Sequence, residues 1–129
     1  MMLRRALLGL AALLPLALAG PARAEPIPFD ADAFAAAQKA GRPILVEVSA
    51  PWCPICKAQK PILARLAQDP RFKDLVIFDI DFDSRKDVLR RFDARMQSTL
   101  IAFKGATETG RSVGETQPEW IEGLVEKTL

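Results

Sequence analysis

The chain has 129 residues, half of them hydrophobic and 26% charged, with 18 lysines and arginines against 16 aspartates and glutamates and no histidine. That balance describes one compact domain and excludes a disordered tail. The lack of histidine excludes Ser-His-Asp and Cys-His catalysis and histidine-based zinc sites.

The N-terminus, MMLRRALLGLAALLPLALAGPARAEP, places Arg4 and Arg5 ahead of an apolar run from Ala6 to Ala19, and Ala22-Arg23-Ala24 has the small-x-small form of a cleavage site. It reads as a secretory signal peptide cleaved after Ala24. A membrane anchor is the alternative, but the run of about 14 residues is short of the roughly 20 that a spanning helix needs, and Pro15 weakens it. Removing residues 1–24 takes away Arg4, Arg5 and Arg23 and no acid, leaving 15 basic against 16 acidic side chains. Residues 25–129 are therefore expected to form one soluble domain of near-neutral charge, without the basic stripe that nucleic acid or an anionic membrane requires.

Along that domain, strands alternate with helical patterns. FDADAFAAAQKAG has Asp30 or Asp32 as N-cap, an alanine-rich helical body and Gly41 to stop it. Ile44 to Val48 is a buried strand by length and β-branched content. Ala58, Ile62, Leu63 and Leu66 then mark a helix ended by Asp69-Pro70, and Leu75 to Ile80 a second strand. SRKDVLRRFDA is an amphipathic helix with Val88, Leu89 and Phe92 inward and Asp83 or Ser84 as cap. STLIAFKG is a third strand, and TETGRSVGE a fourth, paired with it as a hairpin. In TQPEWIEGLVEKTL, Thr116 and Glu119 have capping-box spacing, and Trp120, Ile121, Leu124 and Val125 form an inward face. A βαβ unit followed by a hairpin and a covering helix predicts an α/β sandwich on a mixed sheet.

Both cysteines lie in SAPWCPICKAQKPIL. A disulfide closing two intervening residues restrains the unfolded chain little, so a structural staple is a poor reading even in an oxidising compartment. A dithiol at i and i+3 where a strand enters a helix N-terminus suits exchange. The helix end favours a thiolate at Cys53, expected at an exposed tip, and Cys56 lies one turn inside, able to attack a mixed disulfide.

The stretch resembles the thioredoxin family, and the resemblance spans nearly all of residues 25–129. It is carried by Trp52 before Cys53, a strand ending just ahead, Lys57 after Cys56, Pro61 five residues beyond Cys56, and the strand STLIAFKG. It implies a thioredoxin fold, with a central mixed β-sheet of four to five strands flanked by helices on both faces. It also implies a redox-active Cys53–Cys56 disulfide and a protein thiol–disulfide oxidoreductase activity; with no GxGxxG or Walker-type glycine loop in the sequence, no cofactor is expected.

Glu47, six residues before Cys53, matches a buried family acid that exchanges protons with the inner cysteine. Burial between Val46 and Val48 would raise its pKa toward that of a general base. The alternative is a strand residue facing solvent. A lysine common near that acid is replaced by Ile77. In the loop facing the cysteines, MQSTL has Ser98 where the family has a cis-proline. A cis bond before a non-proline costs about 2.5–4 kcal/mol, so the Gln97–Ser98 bond is expected to be trans. Ser98 could then hydrogen-bond the Cys53 thiolate. Trp52, Pro54, Ile55, Gln97, Ser98 and Thr99 are the expected substrate contacts.

Loss of the proline opens a second reading. Two CxxC sites from two chains could hold zinc, copper(I) or an iron–sulfur cluster, although one chain with two cysteines cannot. The acids Asp79, Asp81, Asp83 and Asp87 lack the glycine and glutamate of a calcium loop. No histidine between the cysteines stabilises the anion, which favours a reductase over a strong oxidant. A monomeric periplasmic reductant is the resulting expectation, exchanging electrons with protein thiols and disulfides and resupplied by a membrane thiol-electron transporter.

Overall fold

A computed structural model describes residues 25–129, together with Ala12 and Pro15. The signal-peptide reading falls on residues 1–24 and lies otherwise outside the described residues. The elements in chain order are β1 (Ile27–Pro28), α1 (Ala31–Lys39), β2 (Pro43–Ser49), α2 (Pro54–Ala67), a 3-10 turn (Pro70–Phe72), β3 (Val76–Asp81), α3 (Lys86–Arg91), β4 (Thr99–Lys104), β5 (Thr107–Val113) and α4 (Pro118–Glu126). The sheet order is β1-β3-β2-β4-β5. β1 and β2 run parallel to β3, and β4 runs antiparallel to both β2 and β5, giving the mixed sheet expected. The two-residue β1 was not anticipated, since so short an edge strand carries no periodicity to read.

Side-chain alternation along β2 decides which residues meet which helices. Ile44, Val46 and Val48 point into one core with Phe34, Ala37, Val88 and Leu89 of α1 and α3, and with Phe78, Ile80, Ile101 and Phe103 of the sheet. Leu45 points the other way, into a core with Ile62, Leu63 and Leu66 of α2 and Ile121, Leu124 and Val125 of α4. Glu47 has the parity of Leu45, so it lies under α2. Phe29, Phe34, Phe78, Phe92 and Phe103 pack mainly edge-to-face around Phe34, where the ring quadrupoles favour such contacts.

Local signals were partly replaced. Asp30 caps α1, its carboxylate accepting from the Ala33 amide at 2.9 Å. At α3 the residue preceding the helix is Arg85, which makes no side-chain cap. Asp81 instead accepts from the Ser84 amide and hydroxyl, while Asp83 is engaged by Trp52. The proposed Thr116 cap is likewise displaced: Gln117 precedes α4, and the Glu115 carboxylate accepts from the Thr116 and Gln117 amides. Trp120, expected inside, is 67% exposed, because the α4 stripe that faces the sheet is Ile121, Leu124 and Val125. Ala58 is also exposed, and its place on the buried face of α2 is taken by Gln59. On β5, Gly110 lets α4 approach closely, since a Cβ there would stand 2.8 Å from Leu124 Cδ1.

Candidate active site

The site forms where β2 ends and α2 begins. Cys53 is the N-cap of α2, with extended backbone, and Pro54 occupies the first turn, where a missing N–H costs nothing. The Cys56 amide donates to Cys53 Sγ at 3.1 Å, so an unpaired helix N–H and the helix dipole both act on that sulfur. Cys53 and Cys56 are joined as a disulfide with Cα atoms 5.3 Å apart. Pro61 lies within α2 and removes the amide that would bond the Lys57 carbonyl.

Cys53 is not at an exposed tip. It is 1% exposed, because Ala50 and Phe82 pack against the disulfide. Exposure belongs to its neighbours Trp52, Pro54 and Ile55. Trp52 donates its indole Nε1–H to Asp83 Oδ2 at 2.9 Å and stands edge-on to Phe82, with centroids 6.2 Å apart. This holds a large half-exposed ring beside the reactive sulfur.

The loop before β4 closes the other side. No cis peptide bond occurs among the described residues, so Gln97–Ser98 is trans, and Ser98 instead adopts φ +59°. That left-handed conformation costs a non-glycine residue about 1–2 kcal/mol. Its surroundings hold it there. The Ser98 amide, which proline would lack, donates to Val48 O at 2.8 Å, and Cys56 Sγ lies 3.9 Å from the same carbonyl. Ser98 O accepts from the Gly114 amide at 3.0 Å and from Gln59 Nε2 at 3.2 Å. The Ser98 hydroxyl donates to Gln97 O at 2.5 Å rather than reaching toward Cys53. Thr99 is buried and donates to Met96 O at 2.7 Å, and Gln97 is half-buried. Exposed Met96 is the apolar residue this loop adds to the rim.

On the face of β2 covered by α2, Glu47 is buried, with Oε1 bonded to Lys60 Nζ at 2.6 Å and Oε2 without a partner. Burial raises the carboxyl's pKa; the Lys60 hydrogen bond and charge oppose this, and Asp79 adds to it. For Lys60, partial burial acts downward, but the Glu47 hydrogen bond and the charges of Glu47 and Asp79 outweigh it and keep the ammonium protonated to higher pH. Asp79, opposite Glu47 in the β2–β3 register, accepts from the Ser49 hydroxyl at 2.6 Å. Ile77 is buried in the core as expected, but the acid does not lack a lysine, because Lys60 comes to it from α2.

Lys60, Gln59 and Phe82 are the site residues that sequence reasoning missed. Lys60 lies four residues after Cys56 and seven after Cys53, which puts all three on one helix face, and that spacing could have flagged it. Gln59 donates to both Ser98 O and Glu115 O, at 3.2 and 2.9 Å, tying the dithiol helix to two loops. Nothing in its local sequence marks a buried strap.

A family profile described as Thioredoxin matches residues 26–127. The chain belongs to the thioredoxin family. It is 32% identical over 81 residues to Thioredoxin Asp f 29 of Aspergillus fumigatus, covering 63% of this chain and 74% of that one. Thioredoxin M4, chloroplastic, of Arabidopsis thaliana is 34% identical over 89 residues, covering 67% of this chain and 45% of that protein. The crystal structure of Trxlp from Edwardsiella tarda EIB202 superposes with TM-score 0.73 at 42% identity, covering 75% of this chain and 95% of that one. NaTrxh of Nicotiana alata, at 24% identity and TM-score 0.69 over 84% of this chain and 95% of its own, shares the fold. The thioredoxin fold and a thiol–disulfide oxidoreductase activity acting on protein disulfides follow for this chain.

Proposed function

We propose that this thioredoxin is exported to the bacterial periplasm and there reduces protein disulfides. Cys53 is the nucleophile, Cys56 the resolving thiol and Glu47 the group that takes the Cys56 proton. The observation that carries the reading is Cys53 as N-cap of α2 with the Cys56 amide directed at its sulfur, an arrangement that favours a thiolate. The Cys53 thiolate attacks one sulfur of a client disulfide, and the other leaves with the bond's electron pair. Cys56, its proton passed to the unpartnered Glu47 Oε2, then attacks Cys53 Sγ and expels the second client thiolate. The client gains two electrons and the Cys53–Cys56 disulfide forms. Trp52, Pro54 and Ile55, with Met96 and Gln97 opposite, form the docking rim, the expected contacts Ser98 and Thr99 being buried behind it with their polar groups engaged internally, and a membrane thiol-electron transporter returns the electrons.

Replacing Cys56 with serine should trap client proteins as mixed disulfides on Cys53, and absence of adducts that dithiothreitol releases would refute the assignment. Direction is tested by titrating the dithiol against glutathione. A potential near or below about −230 mV agrees with a reductant, whereas one above about −180 mV makes the protein a disulfide donor. Periplasmic protein whose N-terminus is Glu25 is the expected result for export.

A further inference from the structure

On one side of Phe82 lies a cleft of about 440 Å³ that this ring lines with Leu89 and Ala94, and in which Lys86, Arg90 and Arg95 stand against one carboxylate, Asp93. Phe82 joins it to the site, packing on the Ala50, Cys53 and Cys56 cluster and against Trp52. Other charges nearby are already engaged. Asp83 accepts from Trp52, Arg85 pairs with Asp87 and donates to Phe29 O, and Arg91 stacks over Phe29, Phe34 and Phe92. Arg95 meets Asp93 at 3.4 Å. Lys86 and Arg90 have no carboxylate partner among the described residues, and Lys86 Nζ instead lies 3.7 Å from the Phe82 ring centroid. The domain is near neutral as a whole, so this excess of positive charge is local.

We infer that the cleft between α3 and the loop at Asp93–Arg95 binds an acidic segment flanking the reacting cysteine of the client protein. The inference rests on thiol–disulfide exchange at Cys53. A client joined to Cys53 has its neighbouring residues beside Phe82, and from there carboxylates reach Lys86 and Arg90. Charge complementarity at such a rim acts mainly on encounter rate and choice of partner, and salt weakens it.

The test compares three peptides with the same disulfide, flanked by Glu/Asp, by Ser/Ala or by Lys, reacting with the reduced protein. The acidic peptide should react about tenfold faster than the neutral one in low salt, and the margin should shrink at 0.5 M salt. Lys86→Glu/Arg90→Glu should abolish the preference, whereas Lys39→Glu/Lys104→Glu, at the opposite end of the sheet with the same change in net charge, should retain it. Equal rates for all three peptides, or equal loss in both double variants, would overturn the inference. Reduction of each oxidised variant by excess dithiothreitol to two free thiols separates this outcome from failure of the exchange reading, since every variant should still be reduced completely.

Discussion

Glu47 of β2 and Lys60 of α2 are bonded at 2.6 Å, the acid almost wholly buried and the base half in solvent, directly under the helix that carries the dithiol. The pair sets a buried proton site one side chain away from water. Because burial raises the Glu47 pKa, the folded protein keeps a proton there that the unfolded chain has lost above its ordinary 4.5. Its contribution to stability therefore falls as pH rises from about 4.5 through the folded pKa and is level beyond it. Glu47→Leu should remove that slope and, by replacing a buried charge with an apolar side chain, be as stable as wild type or more so, by about 1–3 kcal/mol at pH 8 and less at pH 5. The same variant should resolve mixed disulfides about 100-fold more slowly. Urea denaturation at the two pH values checks the first expectation, and a variant less stable at pH 8 would refute it. Stopped-flow exchange checks the second.

Lys60→Met should leave Glu47 Oε1 unpaired and raise the carboxyl's pKa further, since a lowering influence is gone. The ionisation of Glu47 seen in the pH profile of client reduction should then move to higher pH. The stability cost should exceed that of a surface ion pair, at about 1–3 kcal/mol, because the buried Glu47 carboxyl is left with neither oxygen paired. An unmoved profile would mean that Glu47 is not the titrating group.

Ser98 holds φ +59° while its amide bonds Val48 O. Ser98→Gly should leave stability unchanged or improve it by up to about 1 kcal/mol, because glycine relieves the left-handed strain and keeps the amide. Ser98→Pro removes the N–H and cannot adopt that φ, and should cost about 1–3 kcal/mol by leaving the Val48 carbonyl without its donor. Thermal denaturation distinguishes them, and a neutral proline variant would show that the Val48 hydrogen bond does not hold the loop.

Gln59 is buried and gives its amide hydrogens to two loop carbonyls. Gln59→Leu should cost about 1–3 kcal/mol through the unsatisfied acceptors. It should also raise KM for a protein disulfide more than it lowers kcat, with dithiothreitol exchange unaffected. Equal losses with both substrates would assign Gln59 to the helix alone.

The composition and order of this chain by themselves determined the α/β alternation, the CxxC at a strand-to-helix junction and hence the exchange chemistry. Those features depend on periodicity and short-range spacing, which a linear sequence displays directly. Thus α1 ends before Gly41, the β4–β5 hairpin forms, and Glu47 is buried as its apolar neighbours implied. Tertiary packing decided what depends on residues far apart. Trp120 faces solvent because the sheet accepts only one stripe of α4. Asp83 is diverted from capping by Trp52, which lies 31 residues away. The cation for Glu47 comes from α2, 13 residues along the chain, rather than from β3. Cys53 is covered because Phe82, at the far end of a crossover, packs on it. For Asp83 the long-range contact outweighed a local capping preference worth about 1 kcal/mol; in the other cases the sheet and its crossovers chose which residues meet.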